Sequence, residues 1–189
     1  MKKRFLSVIL LSAATATVSV AAYVADIDPP LINVLCAFAT IAAFYIVSLW
    51  LNFSNGLFIS GLAFIFMASP LGSVLNLYRT VDSYDKVVHF ISGIVLAALG
   101  MTVARRVFSP LIKRENEKAF SWPLNFTAFL FSGAAAGFWE IFEFFADKAA
   151  GGTMQRGMVD TVTDMIAGFS GALVYSAVVF VHNKKIKKN

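Results

Sequence analysis

Charged residues and cysteine are scarce in this sequence. Only 14% of its 189 positions carry charge, against roughly 25% in soluble domains, so the chain lacks the polar surface needed to dissolve a globule of its length. The one cysteine, Cys36, lies in an apolar run, which excludes an intrachain disulfide and argues against a thiolate site. Neither a Gly-rich phosphate loop nor a Cys/His zinc spacing occurs. Basic residues outnumber acidic ones, for a net charge of +5. They gather at the termini and in one loop, a pattern of membrane topology and not of a nucleic-acid-binding face. What is abundant is apolar: 58% of the residues are hydrophobic and 19 are Phe.

Those residues fall into six runs, Phe5–Ala25, Leu31–Leu51, Gly56–Leu75, Val87–Val107, Pro123–Ala146 and Met158–Val181. Each is near the ~20 residues that cross a hydrocarbon core. The expected fold is therefore all-α, a polytopic bundle of six transmembrane helices forming a single membrane domain. Ser69-Pro70 and Gly72 should kink or end the third run. With the N-terminus inside, twelve basic residues face the cytoplasm: Lys2, Lys3, Arg4, Arg105, Arg106, Lys113, Arg114, Lys118, Lys184, Lys185, Lys187 and Lys188. Only Arg79, Lys86, Lys148 and Arg156 then face outward. This asymmetry predicts both termini in the cytoplasm of a bacterial inner-membrane protein. The first outward loop, Asp26-Ile27-Asp28-Pro29-Pro30, holds no basic residue. Lys2-Lys3-Arg4 ahead of an apolar run with Ser19 and Ala21 also has the outline of a signal peptide. The run is longer than the ~7–15 residues of a signal core, so a retained span is the expectation.

Ionisable residues within the spans concentrate in the second half. Asp85-Lys86-Val87-Val88-His89 opens the fourth span, with Asp85 and His89 at i, i+4 on one helical face. Trp139-Glu140-Ile141-Phe142-Glu143-Phe144-Phe145-Ala146-Asp147 closes the fifth, and Gln155-Arg156-Gly157 leads to Asp160 and Asp164 in the sixth. The alternating directions of the spans bring all three sets to the same, outward membrane face. Counted from the span midpoints, Glu140 and Asp164 lie about 7–8 Å above the midplane, with His89, Glu143 and Asp160 about 12–14 Å above it. Glu140 facing Asp164 is the contact expected at the bottom of this funnel. Small residues mark the same three spans: Gly93 and Ala97, Gly133 to Gly137, and Gly168 and Ala172.

Acids at this depth face a bundle interior or a wet cavity and pair with something. Two close carboxylates in a low dielectric cannot both ionise cheaply, so a proton or a cation is needed between them. Mixed carboxylate and imidazole donors suit Mn, Fe or Zn. His89, Glu140, Glu143, Asp160 and Asp164 are thus the candidate ligands of a divalent metal ion. His89, Glu140 and Asp164 are the candidates for chemistry, and Asp85, Lys86, Asp147, Gln155 and Arg156 for binding a ligand at the rim. The competing reading is a structural network in which Arg156 pairs with Asp160, His89 with Asp85, and a protonated Glu140 with Asp164.

A resemblance spans roughly residues 80–175. Asp85-Lys86-x-x-His89-Phe90, Trp139-Glu140-x-x-Glu143-Phe144 and Gln155-x-Gly157-x-x-Asp160-Thr161-x-x-Asp164-Met165 resemble the motifs of YjdF-type bacterial inner-membrane proteins. They are more distantly similar to VanZ-like proteins, linked to glycopeptide resistance, which have a Gln where Glu143 stands and an Asn near Asp164. The resemblance implies membrane location and motif positions and names no reaction. The function expected is an outward-facing acid/His pocket that binds a divalent cation and a cell-envelope or lipid-linked small molecule, in contact with the bilayer and with no nucleic acid. Whether it turns its ligand over is open at this point. A proton- or cation-coupled transporter is the alternative, opposed by the missing inverted repeat and by the lack of polar residues toward the inner face. A structural or accessory membrane protein is the third.

Overall fold

Helix accounts for nearly all of the chain in the computed structural model, which describes residues 2–27, 29–113, 117–152 and 154–186, with no strand among them. Asp28, Arg114, Lys187 and Lys188, counted above for topology, lie outside the described residues. The helices are α1 (Lys2–Val24), α2 (Leu31–Trp50), α3 (Asn55–Phe66), the short α4 (Leu77–Thr80), α5 (Tyr84–Phe108), α6 (Glu117–Ala150) and α7 (Met158–Ile186). Six segments are long and apolar enough to cross a membrane, α3 counting together with the π-helical run Met67–Val74 that continues it. The chain is a multi-pass all-α membrane protein.

Two differences from the hydropathy runs have local causes. The third span does not stop at Pro70. The backbone widens into a π-helix with Pro70 inside it. The Leu75 N–H reaches five residues back to the Pro70 carbonyl at 2.9 Å. Widening is how a helix accommodates a ring that would otherwise strike the preceding turn. In the fifth, helix begins at Glu117, ahead of Pro123. The extra turns hold Glu117, Lys118 and Ser121, which hydropathy alone does not register as helix.

The chain forms two compact units, Met1–Val88 and His89–Asn189, and the division falls within the opening turns of the unbroken α5. In the first, Ala22, Ala37 and Val74 form a fully buried cluster covered by Val18, Val34 and Leu75. Left-handed Asp26 and Asn52 end α1 and α2. In each case the next N–H reaches five residues back, Ile27 to Ala22 at 3.0 Å and Phe53 to Ser48 at 3.1 Å, which satisfies carbonyls that the helix end leaves open. Ser54 caps α3 by accepting the Leu57 N–H at 3.2 Å. Arg4 ties the start of α1 to this turn: its guanidinium donates to the Phe53 carbonyl and to Asn55 Oδ1, and sits over the Phe58 ring.

The second unit is the hairpin of α6 and α7 with α5 against it. Met101, Ala104, Leu124 and Ala128 form its core, flanked by Phe120, Tyr175 and Val179. Small residues set the approach of α5 to α7. Gly93 lies against the Gly168 carbonyl and Gly171 against the Phe90 carbonyl, so close that a Cβ at either glycine would collide with backbone. Ser132 of α6 adds a buried hydrogen bond to the Gly93 carbonyl at 2.9 Å.

Candidate functional site

The glycine contacts fix which side chains meet one turn further along. With Phe90 and Gly93 seated against Gly171 and Gly168, His89 and Asp164 face each other across the α5/α7 seam. His89 Nε2 stands 4.0 Å from Asp164 Oδ1. Both are deep: Asp164 is 1% exposed and His89 8%. Asp85 precedes His89 by one turn of the same helix. Asp85, His89 and Asp164 each offer a ligand atom, and the three atoms lie within 4.8 Å of one another. Two carboxylates and an imidazole at that separation are a donor set for Mn, Fe or Zn.

Glu140 is also buried, at 4% exposed. Ala136 of α6 lies 3.2 Å from the Cβ position of Gly168, and Met165 reaches Gly137. Continued by one turn, this antiparallel register brings Glu140 to the level of Asp164. Among the described residues the three-ligand group comprises Asp85, His89 and Asp164, without Glu140, Glu143 or Asp160.

The remaining acids have other contacts. Glu143 accepts the indole N–H of Trp139 at 2.8 Å, one turn back on α6. Asp160 pairs with Arg156 at 3.3 Å, the i, i+4 bridge that the spacing predicted. Both oxygens of Asp147 close the α6–α7 loop, accepting the N–H groups of Met154 and Gln155 at 2.9 and 2.8 Å. Lys86 and Asp85 are partly buried at the start of α5, and Gln155 contributes its backbone to the Asp147 clasp.

Sequence reasoning passed over Thr161. Its Oγ1 is buried without a hydrogen-bond partner among the described residues, one turn before Asp164. The i−3 spacing to Asp164 was a usable signal. A cavity of about 470 Å³ opens along α6 and α7, lined by Phe129, Val162, Met165, Ile166, Phe169, Leu173 and one polar residue, Ser170. Apart from Ser170 it is apolar, and none of the acids lines it. It runs along α7 on residues adjoining Asp164 in sequence.

Against known proteins, the chain is 28% identical over 120 residues to an uncharacterized protein of Thermotoga maritima, an alignment spanning 61% of this chain and 57% of that relative. The match thus covers little more than half of the relative's length. No solved structure matches the chain significantly. A family model described as "Predicted membrane protein (DUF2238)" matches residues 5–185, nearly the whole sequence, and the chain belongs to that family.

Proposed function

We propose that this is a bacterial inner-membrane protein that holds a divalent cation at Asp85, His89 and Asp164 and uses it to bind a lipid-linked or cell-envelope ligand. The observation that carries the reading is the approach of three ligand atoms to within 4.8 Å, two of them on buried residues. Hydrogen-bonding Ser or Asn would join helices at less desolvation than two carboxylates and an imidazole, so a cation is the economical reason for the set. The groove from Val162 to Leu173, apolar but for Ser170, supports a ligand with a hydrocarbon chain, since it runs on residues adjoining Asp164 in sequence. In this reading Arg156, Lys86 and Gln155 lie at the rim, and Glu143 and Asp160 form the shell around the site. The whole chain acts as one membrane domain, with both termini cytoplasmic and the site opening outward. The motif resemblance to YjdF-type proteins, and more remotely to VanZ-like ones, agrees with an envelope-facing role.

Metal analysis of the detergent-purified protein tests this. Wild type should carry a near-stoichiometric divalent ion, and His89→Ala and Asp164→Asn should lose it while eluting as folded protein. Wild type without metal would end the cation reading. A second reading, proton or cation coupling, draws on Glu140, a buried carboxylate outside the three-ligand group. Proton uptake that Glu140→Gln removes, in protein free of metal, would favour it. Variants that lose stability alone would leave a structural role.

A further inference from the structure

We propose that the exposed ridge of α6 from Lys118 to Leu130 binds an anionic phospholipid of the bilayer, with Arg105 of α5 completing the seat for its phosphate. Lys118, Trp122, Phe126 and Leu130 follow one another at i, i+4 spacing and so form one ridge along the helix. All four are exposed. Their order is that of a phospholipid: a cation in the first turn, then two aromatic rings, then an aliphatic side chain. The Trp122 and Phe126 rings lie nearly parallel, with centroids 5.2 Å apart and 6° between their planes. The pair makes a flat apolar wall, and the indole is the ring that membrane proteins place at headgroup level. Lys118 and Leu130 are twelve residues apart, or about 18 Å along the helix. One leaflet with its headgroups is about 20 Å thick, so the ridge runs the length of a lipid.

Charge identifies the occupant. Arg105 Nη1 stands 3.9 Å from Glu117 Oε1, which puts the end of α5 beside the first turn of α6. Both partners of this pair are more than half exposed, so water screens it. A guanidinium has five N–H donors, and one long contact leaves most of them for another acceptor. From Arg105 to Lys118 the sequence carries five basic residues and two acidic ones, so the corner keeps a positive excess. A phosphate diester suits it: the planar fork of Arg105 and the ammonium of Lys118 take the oxygens while the chains lie on Trp122, Phe126 and Leu130. A second copy of the chain would bring the same positive charge to this face. A zwitterionic lipid would bring an ammonium that Arg105 and Lys118 repel. The site shares no residue with the His89 cluster, requires no metal, and holds for either orientation of the chain.

Trp122 is its own reporter once Trp50 and Trp139 are replaced by Phe. The full chain is reconstituted in phosphatidylcholine vesicles holding either dibrominated phosphatidylglycerol or dibrominated phosphatidylcholine, whose bromines quench an indole that they touch. Phosphatidylglycerol should be preferred by at least about fivefold, the contribution of one Lys or Arg near a membrane surface. The preference should fall to parity in Arg105→Gln/Lys118→Gln, persist in Lys118→Arg, rise in Glu117→Gln as the competing acid is removed, and shrink with added salt. Equal quenching by the two lipids would overturn the proposal, and so would no quenching by either, the mark of a face covered by protein. A preference abolished by inorganic phosphate, but not by chloride of equal ionic strength, would assign the site to a soluble anion instead. If the double variant fails to elute as folded protein, the salt series on the Trp122-only chain decides, and a preference that does not shrink with salt sinks the idea.

Discussion

Asp147 separates the two roles an acid can play near this site. Its carboxylate oxygens take the Met154 and Gln155 N–H groups and so clasp the loop after α6. Asp147→Ala removes both acceptors and should lower stability by about 1.5–3 kcal/mol, the range for hydrogen bonds to a charged group. Asp147→Asn keeps one acceptor and should lose less. Thermal unfolding in detergent measures the difference, and proteolysis within residues 151–157 should accelerate in step. Bound metal should not change; its loss would make Asp147 a ligand. Thr161 is the contrasting residue. Thr161→Val keeps shape and removes an unpartnered oxygen, so it should be neutral or stabilising in a merely structural site, and should weaken metal retention if the hydroxyl serves the cation. Paired spacing was legible in the sequence at this scale: Asp85 with His89, and Arg156 with Asp160. The clustering of His89 with Asp164 was legible as well, and the structure brings the two together. Which acids stay outside that group was not legible. Depth along a helix can be counted from a sequence, but whether a carboxylate turns across a seam or back to a neighbour on its own helix, as Glu143 does to Trp139, depends on packing and rotamer.

At the scale of the helix, the glycines position the site. A Cβ on Gly93 or Gly171 meets a carbonyl oxygen of the opposing backbone, which cannot swing aside as a side chain can. Gly93→Ala and Gly171→Ala should each destabilise by about 1–3 kcal/mol, the usual penalty for overpacking. They should also weaken metal binding, because the displaced seam carries His89 and Asp164 apart. Gly137 is the internal control: its Cβ would find only Met165 Cε at 3.9 Å. Gly137→Ala should be neutral or stabilising by up to about 1 kcal/mol through helix propensity. Melting temperatures of the three variants side by side check this, and equal losses in all three would mean that the seam is not special. The small-residue pattern in the sequence named the right three helices, since close backbone contact in lipid needs such residues. The six spans were legible for a similar reason, because apolar length alone defines them. The π-helical run was not, since a proline can end, kink or widen a helix and the outcome depends on what packs outside it. Here Tyr84 Oη bonds the Met67 carbonyl at 2.8 Å, and Asn33 Nδ2 the Ser73 carbonyl at 3.2 Å, supplying donors to the widened segment.

For the whole molecule the consequential question is which face of the membrane carries the His89 layer. Six spans, an even number, would return the chain to the side on which it started. In the proposed reading the crowding of basic residues at the ends and between α5 and α6 puts that side in the cytoplasm. If so, the α6–α7 loop with Asp147 and Arg156 is extracytoplasmic, and the acid/His layer is reached from the envelope. Substituted-cysteine labelling resolves this once Cys36, which is exposed on α2, is replaced by Ser. Met154 and Ser109 are exposed and stand in the loops at opposite ends of α6. Met154→Cys should react with a membrane-impermeant maleimide in intact cells, and Ser109→Cys only after permeabilisation. The reverse pattern would invert the protein and turn the cation site toward the cytoplasm. An envelope ligand would then be excluded whatever the metal content, because a site within about 15 Å of one membrane face draws its ligand from that side.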